Sequence, residues 1–171
     1  MLNLLYLMQA TRNPITAESI LATGTTVGAT TLVGILLDSK KMDHVRNLGR
    51  HDPLTGASSI FHPEAKLAAA VGILFLSFFS LVQSLRLFIH FGFFVRAASY
   101  CRIHREAYSD ETVDSMFHDA CQTCLRAQTF LSVGLRFLYC FLPVIFWLLG
   151  GTYFLLGTLV VVIALYNLDK I

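Results

Sequence analysis

The stretch that decides the fold reads FLYCFLPVIFWLLGGTYFLLGTLVVVIALYNL and occupies residues 137–168. It contains 32 consecutive residues without a charged side chain. One straight helix of that length would measure about 48 Å, whereas the hydrocarbon core of a bilayer is about 30 Å thick. Gly150 and Gly151 lie near its middle, and Pro143 comes shortly before them. We therefore expect two membrane helices joined as a hairpin at the two glycines. The alternative is one steeply tilted, kinked helix.

Two more apolar stretches precede it, at residues 20–37 and 67–95. Over the whole chain 55% of residues are apolar and 14% are charged, against about 25% charged in an average soluble domain. The net charge of +2 is too small and too dispersed for a nucleic-acid partner. The composition predicts an all-α integral membrane protein with four spans in a single domain, or three as the alternative. The expected spans are about 17–37, 67–95, 128–149 and 152–168, and the expected polar loops are 38–66 and 96–126.

The first span is rich in glycine and threonine. Gly24 and Gly28 have the GxxxG spacing, which lets the backbone of a second helix approach closely. We expect these two glycines to pack against another helix, either of this chain or of a partner. The simpler alternative is that glycine and threonine merely accumulate in membrane helices.

The polar stretch 96–126 interleaves acidic and basic residues. Within it Ser109 is followed by Asp110 and Glu111. A serine followed by acids in the first turn is typical of a helix start. We therefore expect a solvated helix that begins at Ser109 and leads into the third span.

One group of residues has side chains suited to zinc, with the spacing C-x2-H and then H-x2-C-x2-C. Its members are Cys101, His104, His118, Cys121 and Cys124. On a continuous helix His118 and Cys124 are six residues apart and point away from each other. A site would therefore need Cys101 and His104 to fold against only one of the pairs His118/Cys121 and Cys121/Cys124. We expect free thiols, with no metal and no cofactor. A disulfide that involves Cys121 or Cys124 is the alternative.

Catalytic signatures are absent from the sequence, which has no GxSxG, P-loop or HExxH motif and no paired carboxylates inside a span. The sequence therefore predicts that the protein is not an enzyme. Acids are almost absent from the apolar stretches, with Glu18 at the border of the first, and this disfavours a proton-coupled transporter. Arg86 and Arg136 are the charged exceptions, and each taken alone is expected to extend to the headgroups.

Several short blocks resemble a known family. They are QATRN at residues 9–13, SFFS at 77–80 with Arg86 downstream, and a C-terminal block with Arg136, Tyr139, Pro143 and Trp147 before YNLD at 166–169. Together they resemble the plant and bacterial membrane proteins of domain of unknown function 599 (DUF599). The resemblance implies a helical membrane architecture and no known activity. Members usually carry another span before the block at 9–13. Residues 1–9 are too short to cross, so that span is expected to be lacking.

Small size, missing catalytic groups and a glycine-rich span favour a non-catalytic structural or accessory subunit of a larger membrane complex. The expected lack of a leading span favours it too. Its partners would be the lipid bilayer and other membrane protein subunits. An energy-transducing organelle complex, in the mitochondrial inner membrane or a plastid, would be a natural host. One alternative is a small oligomeric transporter or channel, and another is a membrane-bound metal or redox protein.

Four crossings would bring six scattered polar residues to one membrane face. They are Arg12, Asn13, Arg86, Arg136, Asn167 and Asp169. An arginine near the lipid boundary gains from a carboxylate that it can engage through two hydrogen bonds. We therefore expect Asp169 to neutralise Arg136 or Arg86, a pairing that we name the polar lock. The alternative is that every one of these groups faces headgroups and water independently.

Overall fold

The computed structural model describes the backbone of residues 2–48, 61–103 and 109–170. It also describes their side chains, apart from those of residues 2–12, 48, 102, 110, 168 and 169. The described residues form five α-helices, so the predicted all-α architecture is confirmed. In chain order they are α1 (Leu2–Leu37), α2 (Ser39–Leu48), α3 (Pro63–Ile103), α4 (Asp110–Leu149) and α5 (Gly151–Asp169).

Three of the described helices hold segments that are long and apolar enough to cross a membrane. These segments are Asn13–Leu37 in α1, Pro63–Cys101 in α3 and Glu111–Leu149 in α4, and α5 adds the shorter apolar segment Gly151–Asn167. Their length and composition agree with an integral membrane location. That the chain crosses four times, rather than three, stays a prediction.

The polar stretches predicted as loops contain more helix than expected. Residues 38–66 include the whole of α2, and residues 96–103 continue α3. Asp38 begins α2, because its carboxylate accepts hydrogen bonds from the amides of Lys40 (3.1 Å) and Lys41 (3.4 Å). The Lys41 amide is the main reason that the pKa of Asp38 lies below its ordinary value. Residues 63–66 begin α3, and residues 110–126 belong to α4, so most of the second predicted loop is helical. Residues 49–60 and 104–108 lie outside the described residues.

The predicted start of the fourth helix at Ser109 is confirmed. The Thr112 amide donates to the Ser109 hydroxyl oxygen at 3.3 Å and to the Ser109 carbonyl at 3.1 Å. This is the side-chain cap that a serine provides at a helix N-terminus. The helix that begins here continues without a break to Leu149, so the solvated helix and the predicted third span are one element, α4.

The predicted break at the glycine pair is also confirmed. Gly150 alone separates α4 from α5, with an extended backbone of φ 159° and ψ 166°. The Trp147 and Phe154 rings meet beyond the turn, with centroids 5.5 Å apart. Further along, a Cβ placed on Gly157 would lie 3.0 Å from Phe146 Cδ2. Contacts between residues that are progressively farther from the turn are those of an antiparallel hairpin.

The chain forms two compact units. The first contains Met1–Thr23 and Phe79–Gly134, and the second contains Gly24–Phe78 and Leu135–Ile171. The first unit thus draws on α1, α3 and α4, and the second draws on those three helices together with α2 and α5.

Between Leu67 and Ala98 the buried side of α3 follows a seven-residue pattern. The buried residues of this stretch are Leu67, Ala70, Leu74, Ser77, Leu81, Ser84, Phe88, Val95 and Ala98, whereas Lys66 and Cys101 are buried outside the pattern. The spacing alternates between three and four residues, and the half-buried Phe91 fills the single gap. This is the a/d spacing of a coiled-coil seam. Most a positions carry a large residue and most d positions a small one, so the side chains of neighbouring helices can enter between the large ones.

Candidate functional site

A buried carboxyl group lies in the first unit. Glu18, in α1, is 1% exposed, although the sequence places it at the edge of an apolar stretch. Its Oε1 lies 3.0 Å from Ser84 Oγ on α3, and Ser84 Oγ lies 2.7 Å from the Ala127 carbonyl oxygen on α4. Among the described residues, Glu18 Oε2 has no hydrogen-bond partner. A carboxyl, a hydroxyl and a carbonyl thus form a chain across three helices, which we name the Glu18 chain.

All three members of the Glu18 chain lie near the middle of long helices. Glu18 is residue 17 of the 36 in α1, Ser84 is residue 22 of the 41 in α3, and Ala127 is residue 18 of the 40 in α4. At 1.5 Å per residue, each is about 24 Å or more from either end of its helix. The carboxyl group is therefore held deep in a helical protein and not at a helix terminus.

Small residues on α4 allow the close approach that forms this chain. Ala120 and Ala127 are buried, and Gly134 follows at the same seven-residue interval and is also buried. A Cβ placed on Gly134 would lie 3.0 Å from Leu81 Cγ and 3.3 Å from the Leu81 backbone nitrogen. Gly134 therefore lets the backbones of α3 and α4 come close together within the first unit.

A buried lysine lies in the second unit. Lys66, in the first turns of α3, is 2% exposed, and its Nζ donates to the Trp147 carbonyl at 3.0 Å. The same ammonium lies 5.4 Å from the centroid of the Trp147 ring. The last four carbonyls of a helix lack partners within that helix, and Trp147 is two residues from the end of α4. Lys66 thus supplies a donor to the end of α4 and a cation to its tryptophan.

Arg46 connects α2 to the start of α3 at an exposed position. Its Nε donates to Glu64 Oε1 at 2.8 Å, and a second guanidinium nitrogen contacts the same oxygen. A third nitrogen donates to Asp43 Oδ1 at 3.0 Å. The Glu64 carboxylate is the main cause of a raised pKa for Arg46. Because the group is exposed, it orients α2 more than it stabilises the fold.

A groove opens on the surface of the second unit between α1 and α3. It encloses ≈ 500 Å³ and is almost entirely apolar. On α1 it is lined by Thr25, Thr26, Ala29, Thr30, Val33, Gly34 and Leu37, and on α3 by Leu74, Phe75 and Phe78. The Thr30 hydroxyl donates to the Thr26 carbonyl of its own helix at 3.0 Å, so this wall of the groove presents a satisfied polar group. We name this feature the α1/α3 groove.

The two glycines predicted to pack are in different environments. A Cβ placed on Gly28 would lie 3.3 Å from Leu74 Cδ1, so Gly28 packs on α3 of the same chain. Gly24 is exposed, with no described atom within 4 Å of the position of a Cβ. Gly34 is open in the same way. Packing of Gly24 against a partner stays a prediction.

The sequence of the chain matches a known family. The family described as "Protein of unknown function, DUF599" matches residues 3–171. The chain belongs to the DUF599 family. No curated protein and no solved structure matches it. The match includes all the blocks that carried the resemblance in the sequence, and Trp147 from the C-terminal block contacts Lys66.

The predicted Cys/His group of this DUF599 chain is dispersed in the described residues. Cys101 is buried, Cys124 is half-buried and Cys121 is exposed, and all three are free thiols. His118 is exposed, and its Nε2 lies 3.0 Å from Gln122 Nε2. His104 lies outside the described residues. Among the residues that are described, no three His, Cys, Asp or Glu side chains converge as metal ligands would.

The six polar residues predicted to gather at one face of the DUF599 chain are only partly described. Asn13 and Arg86 lie in the first unit, and Arg136 and Asn167 lie in the second. All four are exposed. The side chains of Arg12 and Asp169 lie outside the described residues, so the polar lock stays a prediction.

Two buried ionisable residues of the DUF599 chain were not predicted. Hydropathy treats Glu18 as the border of a span and Lys66 as part of a polar loop. A signal for Glu18 is nevertheless present, because Glu18, Ala22, Thr25 and Ala29 alternate at intervals of four, three and four residues and are all buried. The intervals give no such signal for Lys66, which directly precedes Leu67, the first residue of the buried pattern on α3.

Proposed function

We propose that this DUF599 chain is a non-catalytic accessory subunit that binds a transmembrane helix of another membrane protein in the α1/α3 groove. The proposal is carried by one observation, namely that the small-residue side of α1 is open along this groove. Gly34 lines the groove and Gly24 lies open on the same helix. Lipid tails do not require small residues, whereas a neighbouring helix does, because it gains van der Waals contact from close approach.

The threonines of α1 support the same proposal. The hydroxyls of Thr23 and Thr31 donate to the carbonyls of Ser19 and Val27 on their own helix, each at 2.8 Å. Both threonines are exposed. Their hydroxyl groups are satisfied without water, so they present a short, apolar surface to a partner. A host complex in an energy-transducing organelle membrane is part of this proposal.

Native mass measurement after mild detergent extraction tests the proposal. We expect the wild-type chain to migrate in an assembly that contains other membrane proteins. Replacing Gly34 by Leu should fill the α1/α3 groove and release the chain from that assembly. The matched control is Gly72→Leu, because Gly72 is equally open but does not line the groove. An assembly that survives the Gly34→Leu substitution would contradict the proposal.

A small oligomeric transporter or channel is the second candidate function. The observation that favours it is the buried Glu18, because ionisable residues inside membrane segments commonly mark ion or proton pathways. The same mass measurement separates the two candidates. An assembly that contains only copies of this chain favours the transporter or channel, whereas other proteins in the assembly favour the accessory subunit.

A further inference from the structure

The surroundings of Glu18 are unusual for an ionised carboxylate. The side chain is 1% exposed, and Oε2 has no hydrogen-bond partner among the described residues. A buried carboxylate normally requires a cation or several donors, because removing a charge from water is energetically costly. In the described part of the chain, the hydrogen-bond partner of the carboxyl group is the Ser84 hydroxyl at 3.0 Å.

Counting hydrogens shows which form of the carboxyl group fits this geometry. Ser84 Oγ carries a single hydrogen, yet it lies within hydrogen-bond distance of two oxygens, at 3.0 Å from Glu18 Oε1 and 2.7 Å from the Ala127 carbonyl. If Glu18 were ionised, one of these contacts would bring two lone pairs together without a hydrogen. Both contacts are hydrogen bonds if Glu18 is protonated. The carboxyl O–H then donates a hydrogen bond to Ser84 Oγ, and the Ser84 O–H donates one to the Ala127 carbonyl.

No described cation compensates a negative charge at this position. Two titratable residues lie close in sequence to Ser84 on α3, namely Arg86 and His90. Two more lie close to Ala127 on α4, namely Cys124 and Arg126. Arg86, His90 and Arg126 are exposed and Cys124 is half-buried. The three ion pairs found in the described part of the chain all lie between residues 38 and 64.

We propose that Glu18 is a proton-binding site inside the helices. Its carboxyl group is protonated at neutral pH and donates a hydrogen bond to the Ser84 hydroxyl oxygen. The Ser84 hydroxyl in turn donates a hydrogen bond to the Ala127 carbonyl. The ligand of the site is a proton, held near the middle of three long helices. This assignment rests on the Glu18 chain alone and is independent of partner binding in the α1/α3 groove.

Carbodiimide labelling of the full chain in detergent or liposomes at neutral pH tests the proposal. The apolar reagent dicyclohexylcarbodiimide accepts the proton of a neutral carboxyl group, and the carboxyl oxygen then adds to its central carbon. The adduct rearranges to a stable N-acylurea, which peptide mass spectrometry locates. We expect one label per chain, on Glu18. The exposed acids Asp38 and Asp43 serve as internal controls and should stay unlabelled, because water keeps them ionised.

Infrared difference spectra provide a second readout. The wild-type protein minus Glu18→Gln should show the C=O band of a protonated carboxyl group, and Ser84→Ala should shift that band by removing its hydrogen-bond acceptor. Label on Asp38 or Asp43 instead of Glu18, or a carboxylate band in the difference spectrum, would overturn the proposal. Mapping the label on the wild-type chain needs no variant, so it decides the matter even if Glu18→Gln does not fold. Gly34→Leu, which tests partner binding in the groove, should leave the labelling unchanged.

Discussion

Lys66 and Glu18 show two ways in which buried ionisable side chains are accommodated. Lys66 Nζ donates to a helix carbonyl at 3.0 Å and lies 5.4 Å from the centre of an indole ring, so its charge has an acceptor and a π face. Glu18 has a hydroxyl at 3.0 Å and is best accommodated without a charge. The difference follows from the neighbours, because the C-terminal end of a helix offers free carbonyl acceptors to an ammonium group, whereas the middle of a helix offers no free N–H donors to a carboxylate.

Replacing Lys66 by Met should destabilise the protein by about 1–3 kcal/mol, because the part-buried Trp147 carbonyl loses its donor. Methionine keeps much of the apolar volume of the lysine stem, so the effect reports the ammonium group. Thermal unfolding in detergent measures it. Lys40→Met, at an exposed position in α2, is the matched control and should leave the unfolding temperature unchanged. Equal unfolding temperatures for Lys66→Met and the wild type would show that the ammonium contributes nothing.

At the scale of single residues, the sequence predicts the helix cap at Ser109 because a cap depends on neighbours along the chain. The roles of Glu18 and Lys66 depend instead on residues 66 and 81 positions away, Ser84 and Trp147. Hydropathy averages over a window and reads any charge as a boundary. It therefore cannot distinguish an acid at the edge of a span from an acid buried within it.

At the scale of elements, the packing of α4 on α3 depends on Gly134. A methyl group there would lie 3.0 Å from Leu81 Cγ and 3.3 Å from a backbone nitrogen. The backbone atom cannot rotate away, so the helices must separate. We expect Gly134→Ala to cost about 1–3 kcal/mol, as overpacking in a core typically does.

The control for this prediction is Gly92→Ala, since nothing lies within 4 Å of a Cβ on Gly92. There the substitution should be neutral or stabilising by up to about 1 kcal/mol, because alanine favours the helix. Unfolding in a denaturing detergent series compares the two variants. Leu81→Ala is itself destabilising because Leu81 is buried, but combined with Gly134→Ala the total loss should be smaller than the sum of the two single losses. A double variant that is no more stable than the sum of the two single changes would rule out the proposed contact.

The hairpin was predictable because an uncharged stretch of 32 residues is too long for one crossing and has two glycines near its middle. The helical state of α2 was not predictable in the same way. Its composition is polar, and it forms because Asp38 caps its first turn and Met42 is buried at 4% exposure. The last residues of α3 were assigned to a loop for the same reason. A polar sequence indicates that a segment is exposed to water, but it does not indicate whether the backbone of that segment is helical.

At the scale of the whole molecule, the polar lock predicts that Asp169 pairs with Arg136 or Arg86. Asp169→Asn should lower stability by up to about 1 kcal/mol, the usual range for a pair that water can reach. The charge swap Arg136→Asp with Asp169→Arg should restore it if Arg136 is the partner. Thermal unfolding at low and high salt measures both effects, with Asp119→Asn on an exposed part of α4 as the control. If the swap is as unstable as the sum of its single changes, Arg136 is not the partner, and the same swap with Arg86 then decides whether the lock exists.

The buried pattern of α3 restricts how its length can change. From Leu67 to Ala98 the buried residues, together with the half-buried Phe91, follow intervals of three and four. One inserted residue would turn everything after it by about 100° around the helix axis. All buried residues after the insertion would then lose their packing contacts at the same time. Ser84 would be one of them if the insertion preceded it. An insertion of seven residues would restore the direction to within about 20°. Among DUF599 chains, length differences should therefore accumulate between helices, and α3 itself should lengthen or shorten only in steps of seven.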